Sequence, residues 1–331
     1  MNLKDLISEL ERQKPLKWDK KVDSSKLKMV LINDTPRLRI GKTENYFITE
    51  PCHEQIAERL EIPLRYYKRM ASQIPELLVE NVNCWLEMDN RSFFIRGLSD
   101  SVRAFLSERY RVIDHLDVLY CALNELQAHE AEIEDCYLSE KEMDIKIRSE
   151  KLKDFIRDRN DLVIAGLLIT NSETGHKALR VEPRIFRVVC NNGMVVEDFV
   201  TRKTFATRKI HLGDDLADEE IYLFIRRSIN AIFQRFGEIV NVLRESTEIK
   251  VKNPQTVINN VVEHYRLTEK QKENILIAFG AEPEPDKYGI ANAITRAAQF
   301  EDDWEKKIEL EKIGGRVIGL SINEFKRFDE N

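Results

Sequence analysis

The clearest alternation of hydrophobic and polar positions lies between Asp161 and Gly213. It opens with an apolar run, Leu162 to Ile169, which has the length of a buried strand. A turn sequence follows at Asn171 to Gly175, and a second extended run from Lys177 to Val189 mixes apolar side chains with arginines. Pro183 interrupts this second run, which predicts an edge strand or a bulge there. We predict antiparallel strands whose ends and one face carry cations.

Shorter patterns precede this stretch. Leu27 to Ile48 has the composition of strands, with Gly41 to Asn45 as the turn of a hairpin. Thr49 to Met70 predicts two short helices separated at Ile62-Pro63, which is the order of a helix-turn-helix. In that interpretation the second helix would face nucleic acid with Arg65, Tyr66, Lys68 and Arg69. Helical pairs also occur in many folds without that role, so a packing unit is the favoured interpretation.

A long helix is predicted from Asp214 to about Glu245. Its apolar residues recur every three or four positions, at Ile221, Ile225, Ile229, Ile232, Phe236, Ile239 and Leu243. That stripe is either a coiled-coil seam for self-association or one face of a helix packed on the sheet, and the second interpretation is favoured. Shorter helices are predicted beyond it, one of them with a capping box at Thr268 and Gln271.

Runs of strands followed by runs of helices are typical of the α+β class rather than of alternating α/β proteins. We predict a mainly antiparallel sheet with packed helices, a long central helix and an all-helical C-terminal part. The predicted division is an α+β core domain over residues 1–215, a connecting helix over 216–247 and a helical domain over 248–331.

The composition is that of a folded, soluble protein. The chain has 331 residues, of which 42% are hydrophobic and 33% charged, with a formal net charge of −6. This charge is uneven, because the segment from Ile145 to His211 contains fourteen Lys or Arg against eight Asp or Glu. A local basic surface for an anion and a solvated sheet face both have this appearance.

Several classes of protein are excluded. The five cysteines are widely spaced, which is typical of free thiols in a reducing cytoplasm and argues against a structural zinc site. The N-terminus is a charged amphipathic helix without the apolar core of a signal peptide, and no apolar run is long enough to cross a bilayer. We expect a cytoplasmic protein without membrane contact, metal or cofactor.

Arginines alternate with aromatic residues between Arg91 and Asp114. Cations that meet phosphates, and rings that stack on bases, are what a groove for single-stranded nucleic acid needs. The alternative is that the aromatic side chains belong to the core and the arginines form a solvated face. The residues predicted to form one nucleic-acid surface are Arg96, Arg103, Arg109, Tyr110, Arg184, Arg187, Arg202, Lys203, Arg208 and His211.

Known catalytic motifs are absent from the sequence. It has no P-loop, no Rossmann glycine fingerprint, no H-E-x-x-H and no G-x-S-x-G. Asp114 and His115 bring acid and imidazole close together, but helix capping explains the carboxylate. Cys190, at the turn formed with Asn192-Gly193, could be a thiol activated by His211, although such a cysteine is more often a small buried residue. The balance is against an enzyme.

Two blocks of the sequence, Leu106 to Asp114 (LSERYRVID) and Val189 to Met194 (VCNNGM), resemble one family. They are similar to the L-S-x-R-Y-x-x-x-D and V-C-x-N-G patterns of the phage/plasmid-like protein family known as domain of unknown function 932. Arg208 to His211 and Asn292 to Thr295 resemble its basic segment and its N-A-x-T block. Asn191 stands where Thr is expected, but it keeps the turn chemistry. The resemblance implies a phage or plasmid protein in a bacterial host cell and implies no activity.

Two hypotheses from different classes follow. The first is binding of single-stranded nucleic acid, with annealing or protection of strands in recombination or replication. The second is a protein-interaction module that engages a host or phage partner through the acidic C-terminal helices or the long helix, through which the chain could also self-associate. The first predicts an affinity that falls steeply as salt rises, and the second predicts sensitivity to changes at Ile229 or Phe236.

Overall fold

The computed structural model describes residues 1–157, 161–196 and 214–330 of the chain, with the side chains of 214–218 and 330 excepted. These ranges contain twelve α-helices and two sheets, with 51% of residues helical and 28% in strands. The fold class is α+β, as predicted, although the strands form two sheets rather than one. No helix in these ranges is long and apolar enough to span a membrane.

The first sheet follows a short N-terminal helix, α1 (Leu3–Gln13). Its strands are β1 (Lys17–Asp23), β2 (Leu27–Ile32), β3 (Thr35–Ile40), β4 (Glu44–Ile48), β5 (Ser92–Leu98) and β6 (Ser101–Ser107). Their order is β1-β5-β6-β4-β3-β2, with β4 and β6 parallel and the other neighbours antiparallel. The connection from β4 to β5 contains α2 (Glu50–Arg59), α3 (Leu64–Gln73) and α4 (Pro75–Met88).

These three helices pack against one face of the first sheet. Leu27, Met29 and Leu38 point to this helix-covered face and share a core with Tyr67 and Met70 of α3. Successive side chains of a strand point to opposite sides, so the residues between them lie on the other, open face. The α2–α3 pair is thus a packing unit built into this core.

The second sheet is an antiparallel meander that follows α5 (His115–Ala128). Its strands are β7 (Ala131–Leu138), β8 (Met143–Phe155), β9 (Leu162–Asn171), β10 (Arg180–Arg187) and β11 (Asn192–Val195), in the order β11-β10-β9-β8-β7. One face, with Ile145 and Leu167, packs in a large hydrophobic core with α5 and the helices after the sheet. The other face, with Leu168, packs against Trp304 and Ile308.

The helices after the second sheet are α6 (Asp214–Gln234), α7 (Phe236–Thr247), α8 (Pro254–His264), α9 (Glu269–Ala281), α10 (Lys287–Ala297), α11 (Trp304–Gly319) and α12 (Ile322–Glu330). Their buried residues join those of the second sheet in a single hydrophobic cluster, separate from the core of the first sheet. The predicted boundaries at 215 and 247 fall inside that cluster, and the division into three domains stays a prediction.

The predicted long helix is interrupted at Arg235, which separates α6 from α7. Its apolar stripe faces the core of its own chain, since Ile225 and Ile229 are 0% exposed and Leu243 is 1% exposed. Side chains in the core are not available to a second copy. The stripe is therefore not a coiled-coil seam, and self-association through it is corrected to packing within the chain.

Pro183 does not mark an edge strand, because β10 lies between β9 and β11. It pairs with Leu167 of β9 in a register without a bulge, and its carbonyl accepts a hydrogen bond from the backbone N of Val196 at 2.8 Å. The N–H that proline lacks would also point to this side of β10, towards Val196, which lies just beyond the end of β11. Proline is tolerated at this position because β11 has already ended, so no hydrogen bond between β10 and β11 is lost.

The hydrophobic pattern predicts no strand over residues 17–23, where the structure has β1. Trp18 and Val22 point to the helix-covered face, and the indole of Trp18 lies over Gly97 of β5, where any Cβ would overlap it. Lys20 points to the same face as Trp18 and Val22, and its Nζ is 2.6 Å from Oε2 of Glu44. A charged residue among the apolar positions therefore conceals the alternation of β1.

Helix α11 approaches the second sheet most closely at Gly315, where a Cβ would overlap the carbonyl oxygen of Val195. We expect Gly315→Ala to lower the free energy of unfolding by about 1–3 kcal/mol, because the helix must move off β11. Urea unfolding measures this change. Gly319→Ala in the same helix meets no atom within 4 Å and is the matched control, which should be neutral or slightly stabilising. Equal stability of both variants would contradict the close approach.

Candidate functional site

A turn of the second sheet is buried against the first sheet. Ser172, Glu173 and Thr174, between β9 and β10, are at most 2% exposed. Nε2 of Gln55 in α2 donates to the carbonyl of Thr174 at 2.6 Å, and Oε1 of the same side chain accepts from the backbone N of Phe105 at 2.8 Å. Buried backbone groups must find partners inside the protein, and here Gln55 links the turn to β6.

Glu173 brings a negative charge into this contact. Its Oε1 is 2.5 Å from Nζ of Lys17 in β1 and accepts a 2.7 Å hydrogen bond from the backbone N of His115. Its Oε2 lies 3.6 Å from Nη1 of Arg103 in β6. A buried carboxylate requires such partners because its desolvation is costly. We call this contact of Lys17, Arg96, Arg103, Asp114 and Glu173 the seam.

Arg96 and Arg103, both predicted to meet nucleic acid, are buried in the seam. They are 2% and 3% exposed. Nη2 of Arg96 is 2.5 Å from Oδ1 of Asp114, and Nε of Arg103 is 2.8 Å from Oε2 of Glu140. Carboxylates already neutralise both guanidinium groups, so neither is open to a phosphate backbone.

His115 and Tyr110 complete the seam in their neutral forms. Nδ2 of Asn171 donates to Nδ1 of His115 at 3.0 Å, and an amide nitrogen can only donate, so that ring nitrogen is unprotonated. Burial lowers the pKa of His115 to about 4. The hydroxyl of Tyr110 donates to the carbonyl of Ser172 at 3.2 Å, and burial raises its pKa. The acid and imidazole that adjoin in the sequence therefore have structural roles.

Arg184 lies in a second buried ion network, on the face of the second sheet that α11 covers. Its Nε is 3.0 Å from Oε2 of Glu311 in α11, and its Nη1 is 2.5 Å from Oε2 of Glu134 in β7. Nζ of Lys146 in β8 shares the same Glu311 at 2.8 Å. These charges tie the helix to the sheet.

Arg187 lies in a third cluster. Its Nε is 2.6 Å from Oδ1 of Asp161, and its Nη2 is 2.6 Å from Oε1 of Glu282 at the end of α9. Bidentate contact with Glu282 is the strong form of an arginine–carboxylate pair. This arginine joins the β9–β10 hairpin to the helical part.

The turn with Cys190 and Asn192 packs against the same helices. Sγ of Cys190 donates to Oε2 of Glu282 at 2.8 Å, and Nδ2 of Asn192 donates to Oγ1 of Thr295 at 2.5 Å. Burial and the bond to Glu282 raise the pKa of the Cys190 thiol to about 11, which is the opposite of an activated thiol. Its proposed base, His211, lies outside the described residues. Within the described residues no group of three or more His, Cys, Asp or Glu could hold a metal ion.

Two residues of this turn, Asn191 and Gly193, have different structural roles. Asn191 rather than Gly193 has a left-handed backbone, with φ of 50°. Gly193 is required for space, because a Cβ there would overlap the guanidinium of Arg184. The turn thus lets a buried cation lie flat on the backbone.

The residues predicted to form one nucleic-acid surface are not gathered in one place. Arg96 and Arg103 lie in the seam, while Arg184 and Arg187 lie in two other clusters, each facing carboxylates. Arg109 is exposed on the loop after β6. Arg202, Lys203, Arg208 and His211 lie outside the described residues. The predicted surface is therefore not found within the part of the chain that the structure describes.

A different basic surface lies on the open face of the first sheet. Lys28, Arg37, Arg39 and Phe47 alternate with residues of the helix-covered face, and Lys28 pairs with Arg39 across β2 and β3. Cζ of Arg37 lies 3.4 Å from the centroid of the Phe47 ring, and Phe47 is 40% exposed. We call these four residues the platform.

The platform cations differ from the buried arginines. Lys28, Arg37 and Arg39 form no ion pair with any carboxylate of the described residues, and Nε of Arg39 donates to Oδ1 of Asn45 at 2.8 Å. A guanidinium stacked on a ring keeps N–H groups for an anion while it covers the ring. The alternation Arg37-Leu38-Arg39 carries this signal in the sequence, but the contact with Phe47 depends on how β3 and β4 align.

Comparison with protein families covers the second sheet and most of the later helices. Residues 104–302, more than half of the chain, match the family described as domain of unknown function (DUF932). The chain belongs to the DUF932 family. The DUF932 segment includes Asp114, Glu173 and the Cys190 turn, whereas the platform lies outside it. No curated protein and no solved structure matches the chain.

The buried charge of Glu173 in the seam gives a prediction about stability. Glu173→Gln keeps the shape of the side chain but leaves Lys17 and Arg103 without their shared negative charge. We expect the free energy of unfolding to fall by about 3–5 kcal/mol, as for other broken buried pairs. Denaturant unfolding measures this, with Glu44→Gln, which removes an exposed pair with Lys20, expected to cost at most about 1 kcal/mol. Similar losses in both variants would contradict the importance of burial.

The neutral imidazole of His115 gives a prediction about pH. Its folded pKa of about 4 lies below the usual histidine pKa of 6.5, so protonation favours the unfolded chain. The stability that it contributes is present above pH 6.5 and is lost as pH falls towards 4, by at most about 3 kcal/mol. We expect unfolding of His115→Gln to depend less on pH than that of the wild type over this window. The exposed His264→Gln serves as control, and a wild-type-like profile in His115→Gln would show that another group dominates.

Proposed function

We propose that this DUF932 protein binds single-stranded nucleic acid through the platform, and that it anneals or protects strands during recombination or replication. The observation that carries the proposal is the stack of Arg37 on the exposed ring of Phe47, at 3.4 Å. An unpaired base can pack on such a ring or on the guanidinium plane, while Lys28, Arg39 and the remaining N–H groups of Arg37 contact phosphates. The resemblance to phage and plasmid proteins supports this setting.

The dimensions of the platform limit what it can hold. Neighbouring strands are about 4.8 Å apart, so the distance from β2 to β4 is about 10 Å. A stacked strand rises about 3.4 Å per nucleotide, which gives room for about three nucleotides. Three cations would give a slope of log affinity against log salt of about −2 for a single strand. The expected binding is therefore weak and sensitive to salt.

The protein-interaction hypothesis has less support. It depended on Ile229 and Phe236, which are 0% and 7% exposed and belong to the core. For the acidic C-terminal helices, the described residues show no candidate binding contact as specific as the stack of Arg37 on Phe47. Nucleic-acid binding is therefore the function that the geometry favours.

The test is a titration of a fluorescent oligothymidylate, followed by anisotropy at about 50 and 200 mM salt. We expect Arg37→Ala/Arg39→Ala to weaken binding at low salt and to reduce the salt slope by about 1.4, because two phosphate contacts are lost. Phe47→Ala should weaken binding by about 1–3 kcal/mol with the slope unchanged, because it removes stacking and no charge.

The control removes the same charge elsewhere. Lys4→Ala/Arg12→Ala alters two exposed residues of α1, which packs against the core of the second sheet rather than the first. It should bind as the wild type does. The proposal is contradicted if the wild type does not bind at low salt. It is also contradicted if the platform and control variants weaken binding equally.

A further inference from the structure

The exposed side of α3 carries a second set of cations beside an aromatic ring. Tyr67 and Met70 anchor this helix in the core of the first sheet. Arg65 and Arg69 lie one turn apart on the side that faces away from the core, since side chains four positions apart share a face. Tyr66, next to Arg65, is 45% exposed.

The charges on this side of α3 are not equivalent. Nζ of Lys68 is 2.8 Å from a carboxylate oxygen of Glu50 and 3.0 Å from one of Glu54, both in α2. Arg65 and Arg69 have no ion pair with a carboxylate among the residues described. Lys68 therefore neutralises the two neighbouring carboxylates. Nε of Arg69 donates to Oε1 of Gln73 at 3.1 Å, and the other N–H groups of the two arginines remain available to an anion.

This side of α3 and the platform lie on opposite sides of one core. Leu38 and Ile40, which alternate with the platform residues Arg37 and Arg39, pack in the same cluster as Tyr67 of α3. The platform points away from that cluster in one direction, and the exposed side of α3 points away in the other. One nucleic-acid strand cannot cover both surfaces without passing around the edge of the sheet.

We infer that one chain holds two single strands at once, one on the platform and one on α3, and so brings separate strands together. This inference rests on the proposed function of the platform. Arg65, Arg69 and Tyr66 repeat its chemistry of guanidinium groups beside a ring, and a phosphate backbone is the anion whose repeated charge suits both surfaces. Because Glu50 and Glu54 lie near, the α3 surface is the weaker of the two.

Capture of a second strand tests the inference. An oligothymidylate is fixed to beads, the full chain is added, and retention of a second, fluorescent oligothymidylate is measured at about 50 mM salt. The two strands cannot pair with each other. We expect the wild type to retain the second strand and Arg65→Ala/Arg69→Ala to retain about tenfold less, which corresponds to the loss of about 1.4 kcal/mol. Its affinity for one strand in anisotropy should stay within about twofold, since the platform is intact.

The outcomes separate the inference from the proposed function. Equal capture by the wild type and Arg65→Ala/Arg69→Ala overturns the inference, because the second strand is then held elsewhere or by a second chain. Binding of one strand without capture of another also overturns it and leaves the proposed function in place. Absence of any binding in anisotropy removes both. Lys4→Ala/Arg12→Ala is the control for lost charge and should capture as the wild type does.

Discussion

Burial of one carboxylate, that of Glu173, constrains how the two sheets are joined. A fully buried charge is tolerated only when partners surround it, and Glu173 takes Lys17 from β1, the backbone N of His115 from α5, and Arg103 from β6. None of these partners is near Glu173 in the sequence. The first sheet therefore cannot move away from the second sheet without exposing uncompensated charge, which joins the platform to the rest of the chain.

The same requirement explains why the arginines of the sequence were misleading. Local sequence shows an arginine near aromatic residues, but it does not show which acid will neutralise it. Arg184 meets Glu311 at a sequence separation of 127 residues, and Arg187 meets Glu282 at a separation of 95. Contacts of that range follow from the complete fold. A basic cluster in a sequence is thus equally compatible with a phosphate surface and with internal cross-links.

The features that could be predicted from the sequence depend on neighbouring residues rather than on distant ones. The strand Leu162 to Ile169, the capping box at Thr268 and the buried stripe of the helix after Asp214 all depend on periodicity within a few residues, so the α+β class and most elements follow from the sequence. The break at Arg235 and the strand β1 were missed because packing overrides local pattern there. The platform was missed for a mixed reason, since its alternation is local whereas the contact between Arg37 and Phe47 requires the register of two strands.

The net charge of −6 does not oppose a role with a polyanion, because charge is unevenly distributed and the platform cations face no carboxylate of the described residues. The platform supplies only three cations, and three cations give little affinity at physiological salt. Two weak binding surfaces on one chain compensate for the low affinity of each surface. Once a strand is bound on one side, the second surface meets other nucleic acid at a high effective concentration, provided that the geometry lets both act together. In the proposed function, the core shared by the platform strands and α3 supplies that geometry, which favours joining nucleic-acid strands over covering a single long one.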